Sequence, residues 1–170
     1  MKDTTRCILI DPIAKTITDY YLPESGGNKC IYKAIGCDCF DHLGLGEGLQ
    51  LFMDDNGLIS IPRETTPPYN VTQGFFVIHD GVTARHLIAG KGLVSAYDSD
   101  GVTVDLPLWV DPQRIAQIIK FVPNDQRNAV AGLGKKILAD AGLVLTKADW
   151  DARTARHAAL VNQALALCRN

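Results

Sequence analysis

The first 110 residues combine compact apolar runs with a rough apolar/polar alternation, a pattern typical of β-strands. It predicts strands over Arg6–Ile10, Ile13–Leu22, Cys37–Leu45, Leu49–Met53, Val71–His79, Leu93–Tyr97 and Val102–Val104. Residues 82–89 fit either a strand or a single helical turn. We expect this part of the chain to be antiparallel and rich in strands.

Two local signals lie within this strand-rich part. Ile31, Ala34 and Ile35 share one helical face and Gly36 follows them, which predicts a short helix over Cys30–Ile35, capped at its start by Ser25 or Asn28. Asn56-Gly57 tolerates positive φ at both central positions of a tight turn. It therefore predicts a hairpin whose returning strand is Leu58–Ile61, followed by an exposed proline-rich loop over Pro62–Asn70.

From residue 111 the pattern becomes helical. Asp111-Pro112 opens a first helix that continues to Val122-Pro123, Asn124 opens a second that ends at Gly142, and Thr146 opens a third that runs to the C-terminus. The predicted fold class is α+β: an antiparallel β-rich domain with one short helix over residues 1–110, then a three-helix segment over 111–170.

The last predicted helix has an unusually wide apolar surface. Between Ala158 and Cys168 the polar residues are Asn162 and Gln163, so the apolar positions extend beyond one core-facing stripe. We expect that its own fold covers this surface, or else that a second copy of the chain or a partner does.

One stretch resembles a known family. The run IYKAIGCDCFDHLGLGEGLQLFMDDNGL, preceded by ILIDP and followed by GFFVI, is similar to a domain-of-unknown-function family of small phage, plasmid and other mobile-element proteins. The resemblance covers the first half of the chain and consists of strand and turn spacing. It implies a mobile-element origin rather than a particular activity.

Charge is distributed unevenly along the chain. Residues 1–110 hold 8 Lys and Arg against 14 Asp and Glu, a balance of −6, whereas residues 111–170 hold 9 against 5, a balance of +4. Such a split is expected if the two parts attract each other or face different partners, although solvated surfaces of mixed charge also produce it. The chain contains no membrane-length apolar run or signal-peptide core, and its five cysteines suit a reducing compartment, so we expect it in the host cytosol.

Cys30, Cys37, Cys39 and His42 form the densest group of potential metal ligands. Their spacings do not match the paired knuckles of zinc sites, and alternation along the predicted strand would place Cys37 and Cys39 on the opposite face from His42. We interpret the cysteines as buried free thiols, and we expect no metal and no cofactor.

Two groups of polar residues are candidate binding sites. His79, Asp80, Arg85 and His86 lie at strand ends, and Lys135, Lys136, Trp150 and Arg153 lie on the predicted helices. The four histidines, His42, His79, His86 and His157, are candidate bases, but no nucleophile, phosphate-loop or dinucleotide motif accompanies them. Nucleic-acid binding would draw on the basic residues of the helical part, Arg114, Lys120, Arg127, Lys135, Lys136, Lys147, Arg153 and Arg156, which lack a recognition motif.

These observations lead to a ranked expectation. We expect a phage or mobile-element accessory protein that acts by non-catalytic binding of a host protein or ribonucleoprotein, for example by inhibiting a defence complex such as a CRISPR effector. Self-association through the last helix is a further expectation, and nucleic acid is a weaker one. The alternative is a small enzyme or nucleotide-binding protein that uses His79, Asp80, Arg85 and His86.

Overall fold

The larger of two antiparallel sheets is built mainly from the first half of the chain. The fold is a computed structural model that describes residues 4–58, 73–80, 84–139 and 146–168. The strands of this sheet are β1 (Thr4–Asp11), β2 (Thr16–Pro23), β3 (Phe40–Gly46), β4 (Leu49–Asp54), β7 (Gly92–Tyr97) and β8 (Thr103–Val104). They lie in the order β2-β1-β7-β4-β3, and β8 also pairs with β7.

Over the described residues the smaller sheet has three strands. They are β5 (Phe75–His79), β6 (Ala84–Ala89) and β9 (Ile119–Phe121), with β5 in the centre. The described helices are α1 (Asn28–Ile35), α2 (Pro112–Ile118), α3 (Arg127–Ala139) and α4 (Lys147–Leu167), and short 3-10 turns cover Glu24–Gly26 and Asn124–Gln126. The predicted α+β class with an antiparallel, strand-rich first part is confirmed.

Three clusters of buried side chains arrange these elements in four layers. The central cluster joins the two sheets and includes Ile8, Leu51 and Val94 from the larger and Phe76 and Ile88 from the smaller. On the outer face of the larger sheet, α1 packs against Cys7, Phe52 and Leu93. On the outer face of the smaller sheet, α3 and α4 pack against Phe75 and Val77. The layer order is therefore α1, larger sheet, smaller sheet, then α3 with α4.

The predicted helix from Pro112 to Val122 is wrong after Ile118. The chain leaves α2 after Ile118, and Ile119–Phe121 pairs with β5, where Ile119 lies opposite Ile78. Ile119 is buried in the central cluster. Three helices still follow residue 111 in the described chain, but a strand interrupts them, and this strand ties the C-terminal segment to the β-rich part. The proposed division at residue 110 stays a prediction.

The turn signals are only partly correct. The positive φ values that a tight hairpin turn needs are found at Glu47 (52°) and Gly48 (73°), between β3 and β4. Residues 55–58 do form a turn, but Asn56 and Gly57 do not have positive φ. Gly57 is required for a different reason, since an added Cβ would lie 2.6 Å from the carbonyl oxygen of Ala89. Leu58 belongs to the turn rather than to a strand, and Ile59–Ile61 and the Pro62–Asn70 loop lie outside the described residues.

The helix ends follow the sequence more closely. Gly36 closes α1 in the left-handed conformation, with φ of 74°. The Asp111 carboxylate accepts a hydrogen bond from the Arg114 backbone N–H, and Thr146 forms a reciprocal capping box with Asp149. The predicted side-chain caps of α1 are wrong, because Gly27 occupies that position and no side chain caps the helix. In the described part of the chain, no helix combines the length and the apolar character needed to cross a lipid bilayer.

Candidate functional site

Of the four residues predicted as a group near the end of β5, His79, Asp80, Arg85 and His86, two form an ion pair and the two histidines have different surroundings. A β-bulge between β5 and β6 leaves Arg85 as an extra residue, since Ile78 pairs with His86 and His79 pairs with Ala84. The bulge brings Arg85 Nη2 to 2.6 Å from Asp80 Oδ2. The two charges neutralise each other at the surface, where such a pair contributes little stability. Asp80 and Arg85 are therefore brought together as predicted, but as an ion pair.

The two histidines of this group have different surroundings. His79 is 7% exposed. His86 is half-buried and lines a cleft of about 380 Å³ with Asp54, Asp55 and His157. Burial, followed by the charges of His157 and Arg85, lowers the pKa of His86 below its ordinary value. The sequence could not indicate the approach of His157 to His86, because it depends on how α4 packs against β6.

His86→Gln should make the free energy of unfolding fall less steeply as the pH drops from about 8 to about 5. Because the pKa of His86 is lower in the folded state than the ordinary 6.5, the unfolded chain binds more protons at mildly acidic pH. The stability contributed by the neutral imidazole is present above about pH 6.5 and is lost as the pH falls below it. Urea unfolding from about pH 8 to pH 5 measures this slope. The difference between the two proteins in the free energy of unfolding at pH 8 measures the packing that the substitution removes. If the free energy of unfolding depends on pH in the same way in both proteins, the lowered pKa of His86 is contradicted.

Three of the five cysteines are poor candidates for nucleophiles. Burial raises the pKa of Cys7 to about 12 and of Cys168 to about 11. Burial and the charge of Asp54 raise the pKa of Cys37 to about 11. These three thiols are therefore protonated at neutral pH, the less reactive form.

The prediction that Cys30, Cys37 and Cys39 are buried is wrong for Cys39, which is exposed with its Sγ 3.9 Å from Asp55 Oδ2, whereas Cys30 and Cys37 are partly buried. The predicted strand begins only at Phe40, so Cys37 and Cys39 precede it and strand alternation does not govern them. Among the described residues, no three His, Cys, Asp or Glu side chains gather as a metal site.

An apolar groove between α3 and α4 is lined by one of the predicted binding residues, Lys136. Among the described residues its lining comprises Lys136 and Ala139 from α3 and Arg156, Ala159 and Leu160 from α4, around a volume of about 470 Å³. The spacings i, i+3 on one helix and i, i+3, i+4 on the other put these side chains on the facing sides of the two helices. We call this surface the helical groove.

Two basic side chains line the helical groove. Lys136 and Arg156 lie on opposite walls, one on each helix. Lys135 is the sequence neighbour of Lys136, and Arg153 precedes Arg156 by about one turn of α4. Trp150, a further turn away, is 57% exposed. Of the predicted residues Lys135, Lys136, Trp150 and Arg153, the structure places Lys136 in the helical groove, together with Arg156, Ala159 and Leu160. The other three are near it in sequence but do not line it.

The apolar surface of the last helix is covered only in part. Val161, Ala164 and Leu165 are buried against the smaller sheet and α3. Ala158, Ala159 and Ala166 are exposed. The core of the protein therefore covers one apolar stripe of α4. Some of the other apolar residues of this helix, Ala159 and Leu160, line the helical groove instead.

Comparison of the chain with models of known families, with curated proteins and with solved structures found no match. The mobile-element resemblance consequently rests on the sequence run quoted above, and the origin that it implies stays a prediction.

Proposed function

We propose that this protein acts by non-catalytic binding of a partner protein, and that the partner presents an acidic amphipathic helix to the helical groove. The observation that carries the proposal is an apolar floor, Ala139, Ala159 and Leu160, between the cationic side chains of Lys136 and Arg156. Amphipathic helices bind to hydrophobic grooves of this kind through anchors spaced i, i+3, i+4 and i+7.

The charge around the groove determines which helix fits. Lys136 and Arg156 carry the positive charges of its lining. Asp151, five residues before Arg156 on α4, pairs with Lys147 at 2.7 Å. Complementary charge accelerates association and excludes like-charged partners. An acidic flank on the partner helix is therefore favoured over a basic one.

Two other occupants fit the groove less well. Nucleic acid is held mainly by phosphate contacts, which an apolar floor of two alanines and a leucine does not supply. A second copy of the chain would have to present an acidic amphipathic helix, but α3 and α4, the helices that form this groove, contain more basic than acidic residues over the described positions. A separate protein is the better match.

The biological setting follows from the resemblance to mobile-element proteins. Under the proposal, the partner is a host protein or ribonucleoprotein in the cytosol, and binding inhibits it. Inhibition of a defence complex, including a CRISPR effector, is the specific form that we propose for this activity.

The alternative is a small enzyme or nucleotide-binding protein based on His79, Asp80, Arg85 and His86. The Asp80 and Arg85 side chains, the two charged members of this group, are engaged with each other in an ion pair. This pairing supports binding over acid–base catalysis by the group. Alanine substitution of the four residues with retained activity would eliminate the enzyme alternative.

A labelled acidic peptide tests the proposed groove. The probe is an amphipathic peptide of about 20 residues, about 30 Å long as a helix, with leucines at i, i+3, i+4 and i+7 and glutamates elsewhere. Fluorescence anisotropy should show saturable binding. We expect Lys136→Glu to weaken it by about tenfold, equivalent to about 1.4 kcal/mol, because the new charge repels the peptide.

Two controls accompany this measurement. Lys29→Glu makes the same charge change on α1, in the opposite outer layer, and should leave the affinity unchanged. A peptide with lysines in place of the glutamates should not bind. Equal binding of the acidic and basic peptides, or equal effects of the two charge reversals, would contradict the proposal.

A further inference from the structure

A second concavity lies on the opposite side of the molecule, between α1 and the outer face of the larger sheet. It has two lobes of about 520 Å³ and about 550 Å³, which share Asn28, Ile31, Gly101 and Thr103. Both volumes are in the range of small-molecule sites, about 300–1,000 Å³. We call the two lobes together the α1 cleft; it is separate from the helical groove.

The floor of the α1 cleft contains a buried polar side chain. Gln50 is 7% exposed, on a strand whose neighbouring positions are apolar, and it lines the cleft. Its Nε2 donates a hydrogen bond to Ser95 Oγ at 3.3 Å, directly across the β4–β7 pair. An amide has two N–H donors and a carbonyl acceptor. Among the described residues Ser95 uses one donor, so an adjacent donor and acceptor remain for a ligand.

The surroundings of Gln50 leave space for a flat ring. Gly44 lies directly opposite Gln50 on the neighbouring strand, and an added Cβ there would meet nothing within 4 Å. Phe40, Phe52 and Tyr97 provide apolar aromatic surface along the same lobe. Aromatic side chains stack favourably on the faces of nucleobases.

The charge of the cleft selects against phosphate. Glu24 is its acidic lining residue, and no Lys or Arg lines either lobe among the described residues. The first 110 residues also have a net charge of −6. A neutral ligand is therefore favoured over a nucleotide or a nucleic-acid strand.

We propose that the α1 cleft binds a neutral nucleobase or nucleoside, with the free donor and acceptor of the Gln50 amide paired to an edge of the base. Adenine is the best match, because a glutamine amide bonds in bidentate fashion to its N6 donor and N7 acceptor. The proposal goes beyond the helical groove and does not depend on it.

Calorimetric titration with adenosine, AMP and a single-stranded oligoadenylate tests the proposal. We expect adenosine to bind saturably, AMP to bind more weakly and the oligoadenylate not to bind. Gln50→Leu should weaken the binding of adenosine by about 10- to 100-fold, the usual effect of losing a bidentate contact to a base. Gln117→Leu makes the same chemical change on the exposed surface of α2 and should leave adenosine binding intact.

A second variant guards against a folding defect. Gly44→Val fills the open space beside Gln50 but preserves the Gln50–Ser95 hydrogen bond, and a β-branched residue suits a strand. It should abolish adenosine binding without lowering the urea midpoint. Absence of adenosine binding to the unmodified protein, unchanged affinity in both cleft variants, or tighter binding of AMP or the oligonucleotide would overturn the proposal.

Discussion

Phe76→Ala should lower the free energy of unfolding by about 3–5 kcal/mol, the usual cost of deleting a fully buried phenylalanine. Phe76 is 0% exposed and lies in the cluster between the two sheets. Its ring contacts the larger sheet at Gly92, where an added Cβ would be 2.9 Å from Phe76 Cζ. The substitution would open a cavity at the contact that joins the layers.

Urea unfolding at fixed pH measures this loss. Phe76→Leu retains most of the volume and should cost less than about 1.5 kcal/mol. Tyr21→Ala removes an exposed aromatic ring from an outer strand and should change stability by no more than about 0.5 kcal/mol. A loss below about 1 kcal/mol for Phe76→Ala would mean that the sheets do not pack as described.

Arg6→Met should lower the free energy of unfolding by about 2–3 kcal/mol, since hydrogen bonds to charged groups are among the stronger ones. Arg6 side-chain nitrogens donate to the carboxylate of Asp19 and to the backbone carbonyls of Pro107 and Val110. The side chain is 17% exposed. It therefore attaches β1 and β2 to the segment that leads into α2, and methionine would leave those carbonyls without this donor.

Two related variants separate charge from geometry. Arg6→Lys keeps the positive charge but loses the planar fork, so an intermediate loss is expected. Asp19→Asn breaks only the ion pair, whose carboxylate is substantially exposed, and should cost less than about 1 kcal/mol. If Arg6→Met costs no more than Asp19→Asn under the same urea titration, the backbone contacts do not contribute as described.

The features that could be predicted from the sequence are local. Gly36 and the apolar spacing before it define α1, and Thr146 with Asp149 defines the start of α4, because both signals act within one helical turn. The segment Ile119–Phe121 could not be predicted in this way. Ile119 continues the helical spacing of Ile115 and Ile118 in α2, and the strand conformation of the segment is stabilised by pairing with β5, far away in the sequence.

The Asn56-Gly57 turn shows a related limit. A glycine in a turn motif indicates freedom of φ, yet Gly57 is needed because the backbone of Ala89 lies against it. The hairpin turn with positive φ is instead formed at Glu47-Gly48. Sequence alone does not distinguish a glycine required by conformation from one required by a close approach.

The candidate sites depend still more on long-range packing. Lys136 could be predicted as an exposed helical cation, but its position across a groove from Arg156 depends on how α3 packs against α4. Gln50 and Ser95 each interrupt an apolar strand, a signal that was available in the sequence. Their meeting on one face depends on the pairing of β4 with β7.

Site-specific photo-crosslinking tests the central claim, that the helical groove holds a partner protein. A photoreactive phenylalanine analogue is placed at Ala159 in the groove, or at exposed Ala116 on α2 as the matched control, and each protein is irradiated in a cell lysate. We predict a discrete crosslinked product from position 159 that contains a second, different protein, is absent from position 116, and disappears with Lys136→Glu. The same products from both positions, a product insensitive to Lys136→Glu, or a product made of two copies of this chain would contradict the account.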